Sequence, residues 1–272
     1  MNWRAIMAIV RKDIKVVSQS KGVTIPLIIV PLLLFVGLPA MVGLIPLFEN
    51  STAELTSELE PLLSGMPAAL RTEFSGLSQI QVVVVLALVY MMAPLYLIIP
   101  LMVANVIAAD SFTGEKERKT LEALLYTPTT DMELFVAKLL TAWLPALAVS
   151  LLGFVVYGLV ANLAAWPVMG RIFFPNWTWI ILVFWVAPAA AGLGLASMVL
   201  VSSRVNSFQE AYQIGSIVVL PVLLLVIGQA TGVMYLSPWL VAVLGLLFWA
   251  VDVGLLWLGT RTFQRGELIA RL

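Results

Sequence analysis

Charged residues divide the chain into long apolar runs. Residues 22–48, 74–109, 139–170, 172–203 and 211–251 contain no Asp, Glu, Lys or Arg. A helix that crosses a bilayer needs about 20 predominantly apolar residues, so each of the first four runs accommodates one crossing. The fifth is 41 residues long. As one helix it would reach roughly 60 Å, twice the hydrocarbon thickness. It is interrupted at Gly228-Gln229-Ala230-Thr231-Gly232 and again at Ser237-Pro238, and so divides in two. The pattern predicts an all-α integral membrane fold with six transmembrane helices at about 22–47, 80–109, 134–161, 177–201, 211–231 and 238–260. Pro94 and Pro100 are placed to kink the second crossing.

Composition moves the whole chain into lipid. Of 272 residues, 61% are hydrophobic and only 11% charged, where a soluble domain carries about 25% charged residues. The mean hydropathy is +1.04. The net charge of zero hides a segregation. Counting Lys and Arg in alternate connections gives 13 on one side of the membrane and 2, Arg71 and Arg171, on the other. The basic side is expected to be cytoplasmic. An even number of crossings then puts both termini there, in a multi-pass protein of the cell (inner, cytoplasmic) membrane.

The segments outside the crossings differ in kind. Residues 1–21 are too charged for a cleavable signal peptide. As a helix they align Trp3, Ile6, Met7, Val10, Ile14 and Val17 on one stripe, with Arg4, Arg11, Lys12 and Lys15 away from it. That pattern predicts an amphipathic helix on the cytoplasmic membrane surface; the alternative is a basic flank that only sets topology. The outer segment 49–79 carries Glu49, Glu54, Glu58, Glu60 and Glu73. Its leucines suggest short amphipathic helices that cap the bundle. Residues 261–272 form a cytoplasmic tail.

The connection at 110–133 is the most distinctive stretch. It contains Gly114-Glu115-Lys116-Glu117-Arg118-Lys119-Thr120-Leu121-Glu122-Ala123-Leu124-Leu125-Tyr126-Thr127-Pro128. Glu115 to Tyr126 is rich in helix formers, Leu121, Leu124 and Leu125 share one face, and Pro128 ends the helix. Thr130-Asp131-Met132-Glu133 matches a capping box that starts the next helix. A short charged helix between two membrane helices can dock its apolar stripe in a groove of a soluble partner. The same residues also suit a solvated loop helix with intrahelical ion pairs such as Glu115 with Lys119.

This run resembles the signature loop of ABC-2 type permeases, the membrane subunits of one class of ATP-binding-cassette exporters. Their pattern is G-E-(K/R)-E-(R/K)-x-T-(L/I)-E-x-L-L-x-(T/S)-P, and nearly every position matches. Arg11-Lys12-Asp13 is similar to the family's opening, with Asp13 where Glu is usual. The resemblance implies a coupling helix at about 115–127, with Glu115, Lys116, Glu117, Arg118, Thr120, Leu121, Glu122, Leu124, Leu125 and Pro128 as the residues that meet a nucleotide-binding subunit. It implies two permease subunits, identical or related, pairing in the bilayer above two ATPase subunits. ATP and Mg²⁺ are expected in that partner and no cofactor in this chain. The sequence carries no G-x-x-x-x-G-K-[ST] phosphate loop. No nucleic acid is expected as a partner.

Polar residues within the apolar runs are the candidates for a translocation path: Asn105, Gln213, Gln229 and Asp252. A charge at the depth of Asp252 is costly and should face the bundle interior. The bland reading of the amides is interhelical hydrogen bonding, and that of Gly192, Gly194, Ala196 and Ser197 is close helix packing. Gln229 lies in the Gly-flanked break, where related exporters form short re-entrant elements. Intramembrane catalysis is disfavoured. The chain has no His and no Cys, removing the commonest general base, metal ligand and thiol nucleophile, and Asp252 has no second membrane Asp beside it. The competing reading is an ion-coupled transporter or channel independent of any ATPase.

Overall fold

A computed structural model describes residues 2–44, 74–118 and 129–262. These residues form helices and turns, with no strand among them. Helix α1, Trp3–Gln19, precedes six helices long and apolar enough to cross a membrane: α2 (Lys21–Leu44), α3 (Gln79–Glu117), α4 (Asp131–Ala164), α5 (Trp177–Ser202), α6 (Phe208–Ala230) and α7 (Pro238–Thr262). The charged connections gather at one end of the bundle, hereafter the charged end.

α3 and α5 form the centre. Their apolar stretches are 56% and 67% buried, against 28% or less for the other four crossings. Helices in lipid associate through close packing rather than through the hydrophobic effect. α5 supplies the small residues this requires: Ala187, Ala189, Ala190, Ala191, Gly192, Gly194 and Ala196 are all buried. At Gly194 the backbones approach so closely that any side chain would overlap the Leu101 carbonyl of α3. The outer helices keep large apolar side chains such as Leu152, Leu224 and Val253 exposed, as a lipid-facing surface requires.

α3 contains two π-turns, at Leu86–Met91 and Asp110–Gly114. The first has a local cause. Pro94 has no N–H to offer the Tyr90 carbonyl four residues back, and its ring crowds that turn. Three successive carbonyls turn outward to side chains of other helices. Leu88 accepts from the Tyr157 hydroxyl, Val89 from Trp179 Nε1 at 2.7 Å, and Tyr90 from Gln229 Nε2 at 2.7 Å. Tyr157 and Trp179 also stack on each other, with centroids 4.9 Å apart.

Several boundaries differ from expectation. α3 does not stop near residue 109 but continues through the second π-turn to Glu117, so residues 110–117 are the end of a long helix rather than a loop. Burial explains the extension: Asp110, Ser111, Phe112, Thr113 and Glu115 are covered by neighbouring helices. α4 begins with the capping box expected at Thr130 and Glu133. The break between α6 and α7 is a plain turn. Gly232 adopts φ 72° and the Met234 N–H donates to the Gly228 carbonyl at 3.0 Å. The outer segment 49–73, the stretch 119–128 of the expected coupling helix and the tail beyond 262 lie outside the described residues.

Candidate functional site

At the charged end, the last turns of α3 are held by polar contacts to three different neighbours. Lys138, one turn into the apolar part of α4, is fully buried. Its ammonium lies 2.5 Å from Glu115 Oε2, donates to the Ser111 carbonyl, and sits 5.3 Å from the Phe112 ring centroid. The other oxygen of Glu115 is 2.5 Å from Lys12 Nζ of α1. Lys12 is also 2.7 Å from Asp13 Oδ1, and the opposite oxygen of Asp13 accepts from Ser111 Oγ at 3.1 Å. One carboxylate thus ties α1, α3 and α4 together.

The following residues point elsewhere. Lys116 donates to the Val205 carbonyl at 3.2 Å, and Glu117 accepts from the Phe208 N–H, the first of α6, at 2.8 Å. Arg118 folds back onto Asp110, with its guanidinium 2.9 Å and 3.4 Å from the two carboxylate oxygens. This bridge crosses above Gly114, where a Cβ would stand 2.8 Å from Asp110 Oδ1. A residue without a side chain is what the crossing requires. Gly114 to Arg118 therefore read as a clearance followed by four anchors, to α1 and α4, to the α5–α6 connection, to the start of α6, and back to α3.

The N-terminal helix completes this collar. Ile6, Ile9 and Val10 pack on Leu134 and Ala137 of α4. The Asn2 N–H donates to Glu133 at 2.5 Å, the same carboxylate that caps α4. The expected apolar stripe divides in two. Ile6, Val10 and Val17 face the bundle, whereas Trp3, Met7 and Ile14 are exposed. Asp13 lies on the inward face with the first group.

Electrostatics follow from this geometry. Burial pushes the Asp13 carboxyl up, against the pull of the Lys138 and Lys12 ammonium groups. For Lys12 burial acts downward, but its bonds to Asp13 and Glu115 outweigh that and hold it above its ordinary value. The Asp110 carboxylate likewise holds the Arg118 guanidinium up. Such a cluster can transmit displacement and can respond to a partner's charge. Among the described residues no group of His, Cys, Asp or Glu could hold a metal ion.

A model of the family described as ABC-2 family transporter protein matches residues 7–243. The chain belongs to the ABC-2 transporter family. It is a multi-pass membrane protein and a membrane transport component. No curated protein and no solved structure matches it.

Of the residues expected to couple an ABC-2 permease to its ATPase, Glu115, Lys116, Glu117 and Arg118 are brought together in the collar. Thr120, Leu121, Glu122, Leu124, Leu125 and Pro128 lie outside the described residues. The four candidates for a translocation path stand apart. Asn105 is buried where α3 meets α6, with Gly215 against its side-chain amide. Gln213 is exposed on α6. Gln229 is buried against the π-turn of α3. Asp252 is buried on α7, its carboxylate occupying the space left by Gly192 of α5. None of them lines the described cavities.

The sequence reading missed Lys12, Asp13, Asp110, Ser111 and Lys138 as parts of this site. Lys138 carried a usable signal: it stands five residues beyond the capping Glu133, where an apolar helix has begun, and a charge there needs a partner.

Proposed function

We propose that this chain is the permease of an ATP-driven exporter whose ATP-binding subunit is a separate polypeptide docking at the charged end. One observation carries the reading: the four residues that lead into 119–128 are each fixed to a different part of the bundle. A partner that grips 119–128 therefore pulls on α1, α4 and α6 at once through the end of α3. Closure of ATP-binding subunits around ATP and Mg²⁺ would move the collar as a unit and tilt the crossings that continue from it.

In this reading the charged end is cytoplasmic, as the distribution of 13 basic residues against 2 supports, and both termini lie there. The exposed half of the α1 stripe, Trp3, Met7 and Ile14, rests on the inner leaflet. Two permease copies, or this chain and a related one, pair through their exposed apolar helices.

The test is assembly with the ATPase. Leu121→Arg combined with Leu125→Arg introduces two charges into the apolar stripe of the docking segment. Co-purification with the ATP-binding subunit is expected to fall at least tenfold, with the variant still inserted in the membrane. Undiminished assembly, or transport that persists with no ATPase present, would sink the reading and favour an ion-coupled transporter.

A further inference from the structure

The end of the bundle opposite the collar carries two adjoining depressions that share Ile172. The larger, about 420 Å³, runs along α4 beneath the 172–175 segment and is walled by Phe154, Leu159, Leu163, Trp166, Ile172 and Phe174. Its volume lies within the range of about 300–1,000 Å³ typical of small-molecule sites. The walls include exposed apolar side chains of the membrane surface, with Leu159 60% and Leu163 72% exposed.

The second, about 300 Å³, is lined by Arg171 together with Asn176, Tyr90 and Phe173. Arg171 is exposed and makes no hydrogen bond or ion pair among the described residues. It is also one of only two basic residues on that side of the chain. Trp166 and Trp177 are exposed at the same level, as aromatic residues are at a membrane–water interface.

The groove is built rather than incidental. Asn162 holds its roof in place: its Oδ1 accepts from the Phe173 and Phe174 N–H groups at 3.1 Å and 3.3 Å, and its Nδ2 donates to the Phe174 carbonyl at 2.9 Å. The polar groups of Asn162 are thereby turned inward, leaving an apolar trough that ends beside a guanidinium with no counter-ion among the described residues.

We propose that this pair of depressions binds one anionic phospholipid of the leaflet remote from the collar, with an acyl chain in the α4 groove and the phosphate on Arg171. The two halves of the site match the two halves of such a molecule, and a guanidinium binds phosphate bidentately. The lipid would brace the 171–176 segment against α4. This site lies on the outer surface of the bundle and is independent of the coupling reading.

Native mass spectrometry of the purified full-length chain tests this, with dioleoylphosphatidylglycerol and dioleoylphosphatidylcholine as probes. The wild type should retain one more phosphatidylglycerol than Arg171→Gln, with an affinity difference of about fivefold, while phosphatidylcholine retention is unchanged. Val155→Trp, which fills the groove from an exposed position, should lower retention of both lipids. Equal phosphatidylglycerol retention by wild type and Arg171→Gln overturns the proposal. A second copy of the chain is the rival occupant. Because the sequence has no cysteine, Val155→Cys reports it directly: efficient disulfide-linked dimers in membranes would assign the groove to a subunit interface instead.

Discussion

The two π-turns of α3 pose the same problem at opposite ends of one helix, and the bundle answers it differently. At Leu86–Met91 the freed carbonyls are met by neutral donors, Tyr157, Trp179 and Gln229. At Asp110–Gly114 the partner is a buried ammonium, Lys138, which donates to the Ser111 carbonyl and pairs with Glu115. Neutral donors lose little on leaving water and need no counter-ion. Ions lose a great deal, and are tolerated only while every partner stays in place. The neutral end behaves as a fixed hub where α4, α5 and α6 meet α3. The ionic end is stable only as a complete set, which suits a place where a partner's movement must be felt by several helices at once.

The largest expected effect breaks that set. Lys138→Met takes from the buried Glu115 its fully buried ammonium partner and leaves half-exposed Lys12 facing the other carboxylate oxygen. Loss of one partner of a buried pair costs about 3–5 kcal/mol, read as a large drop in the unfolding temperature of the solubilised chain. The double variant Lys138→Met with Glu115→Met removes the stranded charge and should recover most of that loss. If the double variant is as unstable as the single one, packing at Lys138 matters and its charge does not.

The neutral end should respond more gently. Trp179→Phe keeps an aromatic ring against Tyr157 and Phe174 but removes the donor to the Val89 carbonyl. Interhelical hydrogen bonds in membranes average about 0.6 kcal/mol and reach about 1.7, so a loss of about 1–2 kcal/mol is expected once the smaller ring is included. Gln229→Leu should fall in the same range, since it removes one neutral donor, that to the Tyr90 carbonyl. A loss at either position as large as that of Lys138→Met would erase the distinction between the two ends.

The contrast also explains what the sequence could disclose. Apolar run lengths were enough for six crossings, because lipid demands about 20 apolar residues from each. The capping box at Thr130 and the Gly-rich break before Pro238 were equally plain, since both depend on local chemistry. The length of α3 was not, because Asp110 and Glu115 end an apolar count while their burial depends on partners far along the chain. Glu115 is fixed by residues 103 and 23 positions away, and no local pattern reports such a pairing. The π-turns were only half visible: Pro94 announces a defect but not which side chains repair it. The same holds for the path candidates, which are recognisable as polar residues in lipid but whose burial at separate helix contacts is a tertiary outcome.

The smallest effect concerns Asp13, a collar acid for which burial outweighs the attraction of its neighbours. Because its carboxyl is pushed above its ordinary value, the folded state holds that proton more tightly than the unfolded state does. Its contribution to stability is fullest below the unfolded value near 3.8 and is lost as pH rises through the raised folded value. At neutral pH the ionised carboxylate is therefore a net cost. Asp13→Asn removes the titration and keeps an oxygen to accept from Ser111 Oγ. It should leave the chain as stable as wild type or slightly more so at pH 7.5, by less than about 1 kcal/mol, and the advantage should shrink on acidification toward pH 4. Thermal unfolding of the two proteins across that range decides the sign. If Asp13→Asn is instead destabilised at pH 7.5 and converges with wild type only in acid, the pull of Lys12 and Lys138 prevails. Asp13 would then join Glu115 as a true counter-ion of the Lys12 and Lys138 ammonium groups, and that pair of cations would be held by two carboxylates rather than one.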